Sequence, residues 1–212
     1  MDYKNNLGTR QLIKKAVIPV AGQGTRLLPI TRTQPKEMLP IFSSSRNGEL
    51  LLKPIIQLIF EQLFTSGIRD FCFIVGKEKR TIENYFSPNH SFLTNLSSSK
   101  KNAAFSDFNE FYKKIEKSNI TFISQTKPLG YGHAVSLASS FVGKEKFLVH
   151  AGDTLIVSLN NTHISLCMST TADGVIALQK VQDPKPYGVI LGKRIGKFYN
   201  ITRAIEKPKK FI

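Results

Sequence analysis

The chain has 212 residues, and 30 Lys+Arg against 15 Asp+Glu give it a formal net charge of +15. Apolar residues at 41% and charged residues at 21% are ordinary for a packed globular domain and exclude wholesale disorder. No run approaches the ~18 apolar residues of a membrane span.

Met1 to Lys15 is polar and basic and holds no apolar run of the secretory kind, which reads as a cytoplasmic protein. Ala16-Val17-Ile18-Pro19-Val20 reads as a buried strand that feeds a loop with Gly22 and Gly24. Pro35 to Pro40 reads as a rigid, extended loop because two prolines bracket it. Pro54 opens a helix whose apolar positions Ile55, Ile56, Ile59, Phe60, Leu63 and Phe64 keep helical spacing, with Gly67 at the cap. Phe71 to Val75 is a second buried strand and Thr81 to Phe86 a short helix. Residues 87–118 interrupt the rhythm: Ser87 to Asn102 is rich in Ser, Asn and Lys and reads as a loop or excursion, and Phe105 to Ile115 as an amphipathic helix. Ile120 to Ile123 is a third strand, Gly132 to Phe141 a helix, and Phe147 to Val149 a fourth strand ending near Gly152-Asp153. Further strands are expected at Val175 to Leu178, Gly188 to Leu191 and Ile201 to Ile205. The alternation implies an α/β domain spanning 1–212, with a parallel sheet and right-handed crossovers.

Two cysteines, Cys72 and Cys167, are too few for a disulfide framework or a zinc site and read as core thiols. The four histidines show no metal-ligand spacing. Residues 1–106 carry a net +8 and residues 107–212 a net +7, so the charge forms no tail; its densest piece is Lys193 to Ile212. Such a diffuse field favours anionic ligands, phosphates foremost. No aromatic-interleaved basic patch or helix-turn-helix spacing points to nucleic acid.

Ala21-Gly22-Gln23-Gly24-Thr25-Arg26 follows the first strand directly. Glycines let backbone N–H groups approach a phosphate, and Arg26 offers a bidentate clamp. Leu27 stands where a dinucleotide fingerprint needs its third glycine, and no Walker A lysine follows. A plain strand-to-loop turn is the competing reading. In Pro35-Lys36-Glu37-Met38-Leu39-Pro40 a rigid backbone fixes one ammonium and one carboxylate, which suits phosphate and base recognition; a solvated surface loop is the alternative.

Taken in order, these segments resemble the signature of sugar-phosphate nucleotidylyltransferases, most closely the bacterial-type UTP–glucose-1-phosphate uridylyltransferases (UDP-glucose pyrophosphorylases). Lys53-Pro54-Ile55-Ile56-Gln57 matches the helix start of that family. Ile82 to Phe86 with the following excursion is similar to the segment that marks this branch. Gln125 and Gly130-Tyr131-Gly132-His133-Ala134 resemble the uracil-binding stretch, and Gly152-Asp153 the metal-binding turn. Tyr187-Gly188-Val189 and Glu206-Lys207-Pro208 resemble the sugar-binding motifs. The match spans about residues 14 to 208.

The resemblance implies a Rossmann-like, mostly parallel sheet flanked by helices, the nucleotide-diphospho-sugar transferase fold. It implies that Ala21, Gly22 and Gly24 cradle the nucleotide and that Glu37, Gln125 and Gly130 read uracil. Arg26 and Lys36 would hold the UTP phosphates and the departing pyrophosphate. Asp153 would bind Mg²⁺, with Thr154 beside it shifting more of the metal shell to water. Gly188 and Glu206 would contact glucose, and Lys207 would grip the phosphate of glucose 1-phosphate. The implied reaction converts UTP and glucose 1-phosphate to UDP-glucose and pyrophosphate. His133 reads as a packed helix-start residue, because phosphoryl chemistry of this kind needs no proton abstraction. The resemblance further implies a continuation past Ile212 with a second metal-binding aspartate and a homo-oligomeric assembly, so the chain reads as C-terminally truncated. Two alternatives stay open: a nucleotide-sugar-binding or regulatory relative without full turnover, and a nucleotidylyltransferase for another sugar phosphate or nucleotide.

Overall fold

The structure, a computed structural model, describes residues 13–45, 47–77, 80–97, 103–170 and 172–208. The polar stretch before residue 13, part of the 87–102 excursion (98–102) and the basic residues 209–212 lie outside the described residues. Contacts divide the chain into two compact units, Met1–Thr171 and Ala172–Ile212.

In the first unit a parallel sheet forms from β1 (Lys15–Val20), β4 (Asp70–Gly76), β5 (Asn119–Gln125) and β6 (Phe147–Val149), in the order β5-β4-β1-β6. The apolar runs read from the sequence become these strands because both faces are covered. Period-two alternation sorts them: Ala16, Ile18, Val20, Phe71, Phe73 and Val75 join one core, whereas Val17, Cys72 and Ile74 join the other. The first core is closed by α1 (Ile55–Thr65), α2 (Arg80–Tyr85) and α4 (Ala103–Glu116), the second by α5 (Tyr131–Ser136) and α6 (Ser139–Val142). Burial pushes the Cys72 thiol up to about 11, so it stays a packed thiol. Among the described residues no helix is long and apolar enough to cross a membrane.

An aromatic cluster fastens α4 to the sheet. Phe60 lies 4.6 Å from Phe71, 5.3 Å from Phe86 and 5.8 Å from Phe111 by ring centroids. Beside it, the buried Lys53 ammonium contacts Asp107 at 2.6 Å and Glu61 at 3.2 Å, and Lys114 reaches Glu61 at 2.9 Å. These pairs tie the end of β3 (Leu50–Pro54), α1 and α4 together; a buried ammonium holds its place only when paired.

Several expectations are corrected. Part of the Ser/Asn-rich excursion is helical, as α3 (His90–Ser97), with Leu93 buried in the core. Expected helix 132–141 divides into α5 and α6, because Leu137 and Ala138 turn between them. Pro35 and Leu39 are extended, but Lys36–Met38 forms a single 3-10 turn: the Met38 N–H donates to the Pro35 carbonyl at 2.9 Å. β2 (Pro40–Ser44) pairs antiparallel with β3, a hairpin the reading missed. Val175 to Leu178 is not a strand; Ile176 and Leu178 are exposed and no strand among the described residues pairs with them.

The second unit is built on an antiparallel hairpin of β7 (Gly188–Ile195) and β8 (Phe198–Glu206), with a register shift at Leu191/Gly192. Within the first unit, α7 (Thr162–Met168), after β6 in the chain, contributes Ile164 to the first core.

Phe60→Ala is predicted to cost about 3–5 kcal/mol, since it empties the centre of the aromatic cluster. Urea unfolding checks this, and a loss under about 1 kcal/mol would show that the cluster collapses around the gap.

Candidate active site

Parallel strands place ligands at their carboxyl ends, and four chain segments converge there. β1 runs into Ala21-Gly22. β5 ends at Gln125. Past β6 the backbone keeps pairing with β1, through His150 N–H to the Val17 carbonyl at 3.1 Å and Gly152 N–H to the Pro19 carbonyl at 3.4 Å. That pairing carries Asp153 to the mouth of the Gly22 loop. Gly152 is required by packing: a Cβ there would lie 2.4 Å from Val20 Cγ1.

The 3-10 turn at Lys36–Met38 supplies the fourth segment. It buries Glu37, 1% exposed, and sends Lys36 across Gly22, where an added Cβ would sit 3.1 Å from the Lys36 ammonium. Lys36 Nζ forms an ion pair with Asp153 Oδ2. Burial raises the Asp153 carboxyl, but the hydrogen bond and charge of Lys36, with help from Thr154, outweigh that and hold it below the ordinary range. Asp153 is therefore ionised at neutral pH. Burial, and then the Asp153 charge, push the phenol of neighbouring Tyr131 up.

Gln125 is fixed from below. Its amide nitrogen donates to the Gly130 carbonyl at 3.2 Å and meets His133 Nδ1 at 2.8 Å. With its amide nitrogen turned into this network, the carbonyl oxygen of Gln125 is the group left to offer. Gly130 has φ +97°, a backbone conformation side chains rarely adopt, so this turn into α5 depends on glycine.

Two adjoining cavities result. One, about 380 Å³, is lined by Gly22, Gly24, Lys36, Glu37, Gln125, Gly130, Tyr131 and Asp153. The other, about 510 Å³, shares Ala21, Gly22, Lys36 and Gln125 and adds Thr31, Arg32, Gln34, Gly76 and Lys77. A larger hollow of about 700 Å³ opens beside α2 and α4, lined by Asn84, Tyr85, His90, Phe108 and Tyr112. Among the described residues no strand end reaches it and its walls carry no Lys, Arg or carboxylate, so the strand-end cavities are the candidate site.

Ala21, Gly22, Gly24, Lys36, Glu37, Gln125, Gly130 and Asp153 thus come together. Arg26 does not line either cavity; it sits on an exposed 3-10 turn, Thr25–Leu27. In the second unit Gly188 and Glu206 face each other across the hairpin, and the Lys207 N–H donates to the Tyr187 carbonyl at 3.0 Å. A Cβ on Gly188 would lie 3.2 Å from Glu206 Oε2. Arg32 and Lys77 were missed; the position of Lys77 just past β4 was the available signal.

A profile of the nucleotidyl transferase family matches residues 15–212, and the chain belongs to that family. It is 38% identical over 204 residues to the UTP–glucose-1-phosphate uridylyltransferase YngB of Bacillus subtilis (strain 168), covering 94% of this chain and 65% of that protein. A crystal structure of apo UDP-glucose pyrophosphorylase superposes with a TM-score of 0.79 at 31% identity, over 93% of this chain and 70% of that one. The UTP-bound enzyme from Acinetobacter baumannii superposes with 0.75 at 29%, over 93% and 68%. The chain spans about two thirds of the length of these relatives.

Behind the Asp153 turn, His150 is buried, with Nδ1 2.8 Å from the Ala151 carbonyl. Burial pushes its imidazole below the usual 6.5, an effect only partly offset by that hydrogen bond and reinforced by His163. The unfolded chain therefore takes up a proton near pH 6.5 that the folded chain resists, and stability falls as pH drops below that value. Urea unfolding from pH 7.5 to 5.5 is predicted to show this fall, and His150→Leu to make it shallower. An equal fall in both proteins would assign it elsewhere.

Proposed function

We propose that the chain transfers a uridylyl group from UTP to glucose 1-phosphate, giving UDP-glucose and pyrophosphate. The Lys36–Asp153 pair laid across Gly22, at the ends of β1 and β6, is the observation that carries this reading. It sets a cation and an ionised carboxylate beside a glycine loop, a combination that suits phosphate groups and a divalent cation together.

In the proposed reaction an anionic phosphate oxygen of glucose 1-phosphate attacks the α-phosphorus of UTP. One P–O bond forms, the bond to the β-phosphate breaks in line, and pyrophosphate leaves with that electron pair. The nucleophile is already charged at neutral pH, so no general base is assigned, and His133 is occupied with Gln125. Catalysis is then positioning and charge neutralisation, with Lys36 on the phosphates. The carbonyl oxygen of Gln125 would accept the imide N–H of uracil, a donor that cytosine lacks. We assign Glu37 and Gly130 to the same base, and Ala21, Gly22 and Gly24 to the nucleotide backbone. Arg26 would need to swing in from its exposed turn. In the second unit, Glu206 opposite Gly188 is assigned to sugar hydroxyls and Lys207 to the sugar phosphate.

The donor set suits Mg²⁺, which commonly takes one or two carboxylates and completes its shell with water and phosphate oxygens. Asp153 is such a carboxylate, ionised and partly open to the cavity; among the described residues no group of three or more His, Cys, Asp or Glu could enclose a metal. When bound, Mg²⁺ would neutralise phosphate charge. We infer a cytoplasmic setting for the chain.

The test is pyrophosphate release from UTP, glucose 1-phosphate and Mg²⁺, with other nucleoside triphosphates and sugar phosphates in parallel. UTP with glucose 1-phosphate is predicted to give the highest kcat/KM, and Lys36→Gln to lower it about 100-fold or more, the usual effect of removing a charge-stabilising donor. No release above that of a Lys207→Ala control, with UDP-glucose still bound, would favour a binding relative without turnover.

A further inference from the structure

The outer half of the β7–β8 hairpin is open to solvent on both faces: every residue from Gly192 to Ala204 is exposed. Four of these are large and apolar or aromatic, Ile195 at 62%, Phe198 at 42%, Tyr199 at 53% and Ile201 at 39% exposure. Strand register sorts them. Ile195 stands opposite Phe198 on one face; Tyr199, opposite Arg194, and Ile201, opposite Gly192, share the other. The same stretch carries Lys193, Arg194, Lys197 and Arg203, and no Asp or Glu occurs between Asp183 and Glu206.

Apolar residues exposed singly are ordinary, but these four lie together at one end of a two-stranded ribbon. The tip is short and braced. Gly196 turns the chain at φ +61°, and Arg194 Nε donates to the Gly196 carbonyl at 3.0 Å. Cations without carboxylates among them call for an anionic partner. The two-sided pattern narrows that partner further. A protein surface or a nucleic-acid groove meets one face of a ribbon. Apolar side chains and cations on both faces suit a medium that surrounds the tip, apolar at depth and anionic at its surface.

We propose that the tip of the β7–β8 hairpin docks on an anionic lipid surface. Ile195, Phe198 and Tyr199 enter the boundary between headgroups and acyl chains, about 5–10 Å deep. Lys193, Arg194 and Lys197 lay their apolar stems along the tip and turn their charged ends to lipid phosphates. Each cation near such a surface strengthens binding about fivefold. Gly188 and Glu206 close the base of the same hairpin, about 25 Å from the tip by strand rise. Docking therefore holds the residues assigned to the sugar near the bilayer without burying them. The proposal stands apart from the uridylyl-transfer reading and survives its failure.

Flotation of the full chain with vesicles tests this, using equal parts phosphatidylglycerol and phosphatidylcholine in one set and phosphatidylcholine alone in the other. The chain has no tryptophan, so Phe198→Trp places a single fluorophore at the tip and tests insertion even if other variants fail to fold. Wild type and Phe198→Trp are expected to float with the anionic vesicles and not with the neutral ones, and the tryptophan emission to shift to the blue on binding. Ile195→Ser with Phe198→Ser is expected to weaken binding at least about tenfold, and Lys193→Gln with Lys197→Gln about twentyfold. Lys113→Gln with Lys117→Gln removes the same charge from exposed positions of the first unit and is expected to stay within about twofold of wild type. No flotation with anionic vesicles, or emission that stays that of water in the bound protein, overturns the proposal. An equal loss in the control pair assigns binding to overall charge and also overturns it. So does binding of DNA through the hairpin cations without flotation, which makes the tip a nucleic-acid surface. A dimer that dissolves in Ile195→Ser with Phe198→Ser, again without flotation, makes it an interface between copies and overturns it too.

Discussion

Lys36 lies across Gly22 to meet Asp153, and the arrangement of the first unit follows from what that contact demands. It requires β1 to be an interior strand, so that segments leaving β4, β5 and β6 flank its carboxyl end. It requires a residue without a side chain at Gly152, where an added Cβ would strike Val20, and it is eased by Gly22, where an added Cβ would crowd the ammonium. It requires a turn in the proline-bracketed segment, since an extended run would not bury Glu37 while delivering Lys36. Lys36 holds the half-buried Asp153 carboxyl below the ordinary range, so the carboxylate is ready for a divalent cation without losing a proton.

The +15 charge divides by location. Lys53 and Lys114 neutralise Glu61 and Asp107 and fasten α4 to the core. Lys113 pairs on the surface with Glu110, an interaction of little energetic weight. Arg32, Lys36 and Lys77 face the strand-end cavities, and Lys193, Arg194 and Lys197 stand at the tip of the β7–β8 hairpin. The remaining excess is background field, which raises the local concentration of anionic ligands without choosing among them.

The elements that the sequence revealed are those whose own residues determine them. Ala16 to Val20 and Phe71 to Val75 are apolar on both faces and could only be buried strands; Ile55 to Phe64 carries an unbroken helical stripe. The β2–β3 hairpin was hidden because Phe42, Leu50 and Leu52 point outward, so no polar/apolar alternation marks it. α3 was hidden by its Ser and Asn content, and Val175 to Leu178 misled because an apolar run is not a strand without a neighbour to pair with. In the site, Gly22, Lys36, Gln125 and Asp153 were legible through the ordered motifs. Arg32 and Lys77 were not, because an isolated basic residue acquires meaning only when the fold brings a cavity to it.

The central claim is that Lys36 and Asp153 act as one unit. A double-mutant cycle on kcat/KM for pyrophosphate release, with Lys36→Gln, Asp153→Asn and both together, addresses it directly. If the pair is the organising contact, the double variant loses about as much as the worse single variant, as residues acting as a unit do. If the two losses multiply, the residues work independently and the account is wrong.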